Sequence, residues 1–293
     1  MNQKRLIHRF GSQLIGDQLK IAAEIKIHTL TILEYPDYRT IAATRLKYCS
    51  LSNLETFASG PVTWYNKNKT FPSKMIKIIA CHVMKEELLA VKRDQSAPEI
   101  EWQFVSMGLH LHPAKLHREL QKLLDQSQKY SRIILGFGLC GGAANQLRAP
   151  GCWLTIPRVH DCIPVLLGAI SQYRQLNNET SGTFYLSGGW IEGEHSLLNE
   201  YRRICQKYGP AKALRVLHQM FANYHQLTYI STDHPREEAN RTESQNLAQL
   251  LNLNLTIRKG SPRYFEKIVN GPWDDAGFIN IAPGKTITEQ DFL

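Results

Sequence analysis

From Met75 onward the chain alternates short apolar runs of strand length with segments of helical period, and this alternation restricts the possible folds more than any other feature. The runs "MIKIIA", "IEWQFVSMG", "RIILGFG", "CWLTIPR", "TFYLS", "QLTYIST", "NLTIRKG" and "FINIAP" read as strands. Between them, "HVMKEELLAVKR", "PAKLHRELQKLLDQSQ", "IPVLLGAISQYRQL", "HSLLNEYRRICQKYG", residues 211–224 and "EEANRTESQNLAQLL" carry apolar residues at helical spacing, with Pro113 in a first turn. Strands joined by helices of this length build βαβ units. The expected fold class is therefore α/β, a Rossmann-like and mostly parallel sheet with helices on both faces.

Residues 1–74 lack that order, and "WYNKNKTFPSK" at their end is linker-like. We read them as an N-terminal extension and residues 75–293 as an α/β domain with a Cys/His metal site. Two readings of the extension stay open: an appendage translated from an upstream start codon, with Met75 as the native start, or an extra helix or hairpin packed on the domain. The extension holds eleven Lys and Arg against five Asp and Glu, and the remainder holds 24 against 21, so most of the net charge of +9 is N-terminal. After residue 75 no basic stretch is interleaved with aromatics, which argues against nucleic acid as a partner. The first thirty residues are broken by polar and charged positions and lack the apolar centre of a secretory signal. No apolar run approaches the roughly 18 residues a bilayer requires. A cytoplasmic location is expected, with no membrane partner. Six cysteines at irregular spacing then read as reduced thiols.

In open α/β sheets ligands bind outside the carboxyl ends of the strands, so the residues that follow each strand carry the functional reading. Cys81 follows the first strand, His110 the second, Cys140 the third, and His160, Asp161 and Cys162 the fourth. Thiol and imidazole suit zinc or an iron–sulfur cluster, and ligands this far apart in sequence need the fold to bring them together. Cysteine is also a common core residue, so each thiol taken singly has an ordinary structural explanation. Cys140 sits among Gly138, Gly141 and Gly142, which permit tight turns and close backbone approach to a ligand. Cys162 lies two residues after His160, on the same face if the segment is extended, and Pro164 opens a helix behind it. A helix dipole there, and after Cys81, predicts a lowered thiol pKa. Cys152 begins a strand, Cys205 lies mid-helix and Cys49 belongs to the extension, so core packing accounts for them.

Weaker candidates follow. "GTFYLSGGWIEGEH" places Trp190 as a pocket wall and Glu192 as a general acid or base. Arg158 is on the cluster's side of the sheet and suits a substrate carboxylate or phosphate. Arg258, Lys259 and Arg263 flank a Gly-Ser-Pro turn that would suit an anion, although a solvated basic loop is the ordinary reading.

The blocks "IACHVMKEEL", "GLHLHPAKL", "ILGFGLCGGAANQL", "IPRVHDCIPVLLGA", "GTFYLSGGWIE" and "FINIAPG" together resemble the family known as domain of unknown function 1638, over about residues 75–287. The resemblance implies that Cys81, Cys140, His160, Asp161, Cys162, Trp190 and Glu192 occupy positions typical of the family. It also implies a link to corrinoid-dependent methyltransferases, with a corrinoid protein or methyltransferase as partner. The extension lies outside the family pattern.

The leading expectation is a metal-dependent enzyme in which Cys81, Cys140 and Cys162, with His110 or His160, hold zinc. Such a centre would deprotonate a substrate thiol for methyl or alkyl transfer. The His160-x-Cys162 piece resembles that of zinc-dependent thiol methyltransferases. A second form keeps the cysteines but binds a [4Fe-4S] cluster with one iron open to a small-molecule substrate, a layout that resembles quinolinate synthase. Two other classes remain: a metal-free enzyme with Cys140 or Cys162 as nucleophile and His160 as base, aided by Asp161 or Glu192, and a non-catalytic metal or corrinoid accessory protein.

Overall fold

The first strand, β1 (Ile76–Cys81), is buried along its whole length, as a central strand covered on both faces must be. The structure, a computed structural model, describes residues 75–93, 98–179, 182–273 and 276–293. The extension expected over residues 1–74 lies outside the described residues. β1 is flanked by β2 (Ile100–Val105) and β3 (Arg132–Gly136), both parallel to it. β4 (Trp153–Pro157) continues the sheet in parallel, and β8 (Phe278–Ile281) closes it antiparallel, in the order β2-β1-β3-β4-β8. The mostly parallel sheet expected from the sequence is thus present. β2 is only half-buried along most of its length, which suits an edge.

The other strands form a second parallel sheet, β5 (Thr183–Leu186), β6 (Gln226–Ser231) and β7 (Asn254–Lys259), in that order. The helices are α1 (Lys85–Ala90), α2 (Pro113–Asp125), α3 (Ile163–Leu167), α4 (Ile170–Glu179), α5 (Gly188–Glu192), α6 (Leu197–Tyr208), α7 (Pro210–Met220), α8 (Glu237–Leu251) and α9 (Arg263–Asn270). α2 buries Leu116, Leu120 and Leu124, one apolar stripe at i, i+4, i+8, with Pro113 at its start. The single helix expected over residues 163–176 is instead α3 and α4, because Gly168 adopts φ 81° and ends the first helix. The short helix α5, in "GGWIE", has no signature in the sequence.

Two hydrophobic clusters underlie the sheets. The larger packs under β1, β3 and β4 and also takes in Tyr185 and Ile230, whereas Phe184, Leu186, Leu227 and Tyr229 belong to the second. Neighbouring residues of β5 and β6 therefore serve opposite faces, as the period of a strand requires. Trp190 packs against both clusters.

Candidate functional site

Strand order fixes where this site falls. The chain runs from β1 outward to β2 and then crosses back to β3, so the connections on either side of the β1/β3 boundary leave in opposite directions. Such a switch point leaves a crevice at the carboxyl ends of the strands. Cys81, the last residue of β1, and Cys140, four residues past β3, flank it.

Cys162 arrives by a backbone device. The N–H groups of Leu139 and Cys140 donate to the carbonyls of Val159 and His160 at 2.9 and 2.8 Å, which prolongs the β3–β4 pairing beyond both strands. Gly138 permits this, since a Cβ there would stand 2.6 Å from the Val159 carbonyl oxygen. Gly141 and Gly142 follow with φ of 64° and 87°, and Cys140 itself has φ 49°. These glycines shape a turn that holds Cys140 against the His160 segment. Cys162 is not extended, with φ −78° and ψ −11°, so the expected shared face of His160 and Cys162 gives way to a turn.

All three thiols are buried and free of disulfides. Burial pushes each of them up, not down, and each pair adds to the effect because neighbouring charges of like sign oppose ionisation. The lowered pKa expected from helix dipoles at Cys81 and Cys162 is therefore not found. The helix behind Cys162 has only five residues and the one after Cys81 only six, and loss of water outweighs so short a dipole. The Trp190 indole beside the Cys162 thiol partly offsets the shift.

Imidazole and carboxylate groups surround the thiols. His110 stacks on Phe137 at 5.8 Å between ring centroids and meets Trp190 edge-on at 6.3 Å. Burial, with the charge of Arg174, pushes the His160 ring below its ordinary value. Asp161 accepts from the Ile163 N–H at 2.8 Å and from Tyr173, yet burial pushes its carboxyl up to about 6. It lies within charge range of Cys140, Cys162 and Tyr185. As donors, three thiols beside imidazole suit a soft metal. Among the described residues, however, no three His, Cys, Asp or Glu side chains are drawn up around one metal ion.

Arg158 lies elsewhere in role. Its guanidinium donates to the carbonyls of Ala276 and Asp291 and ties down the C-terminal segment.

The second sheet presents its own strand ends to this crevice. α5 begins directly after β5, and a Cβ on Gly189 would collide with the Val83 carbonyl, so the helix sits on the turn that follows Cys81. Met107 likewise fills the space a Gly193 side chain would need. Trp190 and Glu192 thus share a short helix wedged between the two sheets. Asn240 Nδ2 donates to Glu192 Oε1 at 2.8 Å, and His234 Nδ1 lies 3.3 Å from the same oxygen. Across from them the buried Glu87 of α1 accepts from the Thr232 hydroxyl at 2.7 Å, and burial raises its carboxyl above the ordinary range. Sequence reasoning missed Glu87, Tyr173, Tyr185, His234 and Asn240. His234 lies three residues after β6, so extending the strand-end rule to the second half of the chain would have found it.

Fold and site together define an α/β protein with a buried three-thiol crevice at a sheet switch point. The chain belongs to the family described as "Protein of unknown function (DUF1638)", whose sequence profile matches residues 104–269. That match takes in His110, Cys140, His160, Asp161, Cys162, Trp190 and Glu192, while Cys81 falls before it. No curated protein and no solved structure is significantly similar to the chain.

Proposed function

We propose that this protein is a metal-dependent enzyme whose centre is held by the thiolates of Cys81, Cys140 and Cys162. The observation that carries the reading is that three adjacent strand ends each deliver one buried thiol into one crevice, where burial and the neighbouring thiols oppose its ionisation. A bound cation reverses that balance, since a coordinating thiol loses its proton outright. A metal-free nucleophile needs the opposite environment, a partly exposed thiol with a lowered pKa.

A [4Fe-4S] cluster is the first reading of that centre. The three thiols sense one another's charge. A cluster takes its three thiolates on separate irons and supplies an open iron as Lewis acid. The chain's own contributions are then clear. Trp190 beside Cys162 favours its thiolate form, and α5 lies over the turn that follows Cys81. Asp161, with its carboxyl up at about 6, and His160 are groups able to give or take a proton near pH 7.

Zinc, acting in methyl or alkyl transfer to a substrate thiol, is the second reading. It is supported by Asp161 beside Cys140 and Cys162, a carboxylate that zinc accepts as a fourth donor. A corrinoid protein or methyltransferase is the partner class that goes with it. Analysis of anaerobically purified protein decides: a brown sample with iron and sulfide supports the cluster, a colourless one with stoichiometric zinc supports the second reading, and neither metal overturns both.

A further inference from the structure

Arg258 and Lys259, the last two residues of β7, open into a cleft of about 420 Å³ that Gln172, Gln175 and Leu176 of α4 wall on the other side. Many cations of this chain are matched by carboxylates: Lys77 and Lys129 with Glu101, Arg203 with Glu200, Arg241 with Glu237. Among the residues whose side chains are described, which exclude 177–179, no carboxylate lines this cleft and no ion pair to Arg258 or Lys259 is found. Two cations and two neutral amide side chains line one hollow, whose charge is positive and suited to an anion.

The backbone beneath the cations is fixed. The Gly260 N–H donates to the Ser231 carbonyl at 2.7 Å and the Ser261 N–H to the Leu166 carbonyl at 3.0 Å, so the loop after β7 is pinned both to β6 and to the end of α3. A Cβ on Gly260 would stand 2.6 Å from the Leu166 carbonyl oxygen, which is why the pinning needs glycine. The cleft also adjoins the thiol crevice. Tyr185 lies within charge range of both Asp161 and Arg258, and its ring meets that of Tyr173, the donor to Asp161, at 6.0 Å.

We propose that this cleft binds the phosphate group of a phosphorylated small molecule, with Arg258 and Lys259 as its ligands and Gln172 as a neutral donor. A phosphate monoester carries between one and two negative charges near pH 7, which the two cations balance. A single carboxylate would leave one of them unmatched. That this molecule is the substrate of the thiol crevice rests on the reading given above; the binding of phosphate does not.

Titration calorimetry of the full chain with inorganic phosphate tests it, at low ionic strength because exposed charges are screened by salt. Saturable binding at one site is expected, weakened about tenfold or more by the double variant R258A/K259A, since charge-assisted hydrogen bonds are the strong ones. K115A/R118A removes two exposed cations from α2 and should leave binding unchanged. Lack of saturable binding, an unaffected R258A/K259A variant, or equal weakening by both double variants would overturn the proposal. C162S should bind phosphate as the wild type does, and a wild-type chain that holds neither iron nor zinc after anaerobic purification but binds phosphate sinks the thiol-centre reading and leaves the cleft standing.

Discussion

The backbone N–H of Cys140 donates to the carbonyl of His160 at 2.8 Å, beyond the ends of the strands that carry both residues. One hydrogen bond thus sets the separation between the thiol that follows β3 and the turn that presents Asp161 and Cys162. The crevice is therefore built on main-chain pairing, and side-chain substitutions within it should alter its chemistry more than its shape.

Serine in place of Cys81, Cys140 or Cys162 should each cut metal content sharply. Serine at Cys152 or Cys205, which lie outside the crevice, should not. Iron, zinc and sulfide per chain in anaerobic preparations of the five variants provide the check. A metal content indifferent to Cys81 would remove it from the centre.

In the metal-free native chain, the half-buried Cys205 should react with a thiol reagent well before the three crevice thiols, whose thiolate forms are suppressed by burial and by one another. Peptide mapping of labelled sites over time at about pH 8, near the ordinary thiol pKa, measures the order. Rapid labelling of Cys162 would revive the metal-free nucleophile.

Glu87 predicts a pH dependence of stability. Its folded-state carboxyl is raised by burial. Below the ordinary carboxylate value both folded and unfolded chains hold the proton, and the group contributes no slope. As pH rises above it, the unfolded chain ionises first, so stability falls until the folded carboxyl ionises too. E87Q keeps an acceptor for Thr232 but has no charge to bury. Its Tm should decline less than the wild type's from about pH 4.5 upward, and parallel Tm profiles would refute the assignment.

Gly189→Ala should destabilise the fold by about 2 kcal/mol, because the new methyl meets the Val83 carbonyl and α5 must shift. Gly142→Ala meets no atom within 4 Å but must adopt φ 87°, a conformational cost of about 1 kcal/mol. Denaturant titration ranks the pair, and the order reversed would mean that α5 yields easily.

Much of the fold was legible in the sequence, because strand and helix periods are local properties. "MIKIIA" and "RIILGFG" could be read as strands from a handful of residues each. Their division between two sheets could not, since pairing β6 with β5 and β7 rather than with β1 depends on contacts far apart in sequence. The gathering of Cys81, Cys140 and Cys162 was legible from the strand-end rule. Their raised pKa was not: the sequence reveals a helix start behind Cys162 but not the depth of burial that overrides it. Helix α5 was hidden for a related reason. Gly188 and Gly189 weaken the helical signal, and their purpose, admitting the His234 ring and the Val83 carbonyl, exists only in three dimensions.

The wedge formed by α5 has a practical consequence. The Trp190 indole touches both hydrophobic clusters, meets the His110 ring and lies beside the Cys162 thiol. Whatever enters the crevice, or spreads the sheets to admit it, must change the surroundings of that one ring. The molecule carries a fluorophore at the point where occupancy and opening meet, so emission from Trp190, isolated by replacing the other four tryptophans with Phe, offers a way to screen for ligands before any reaction is known.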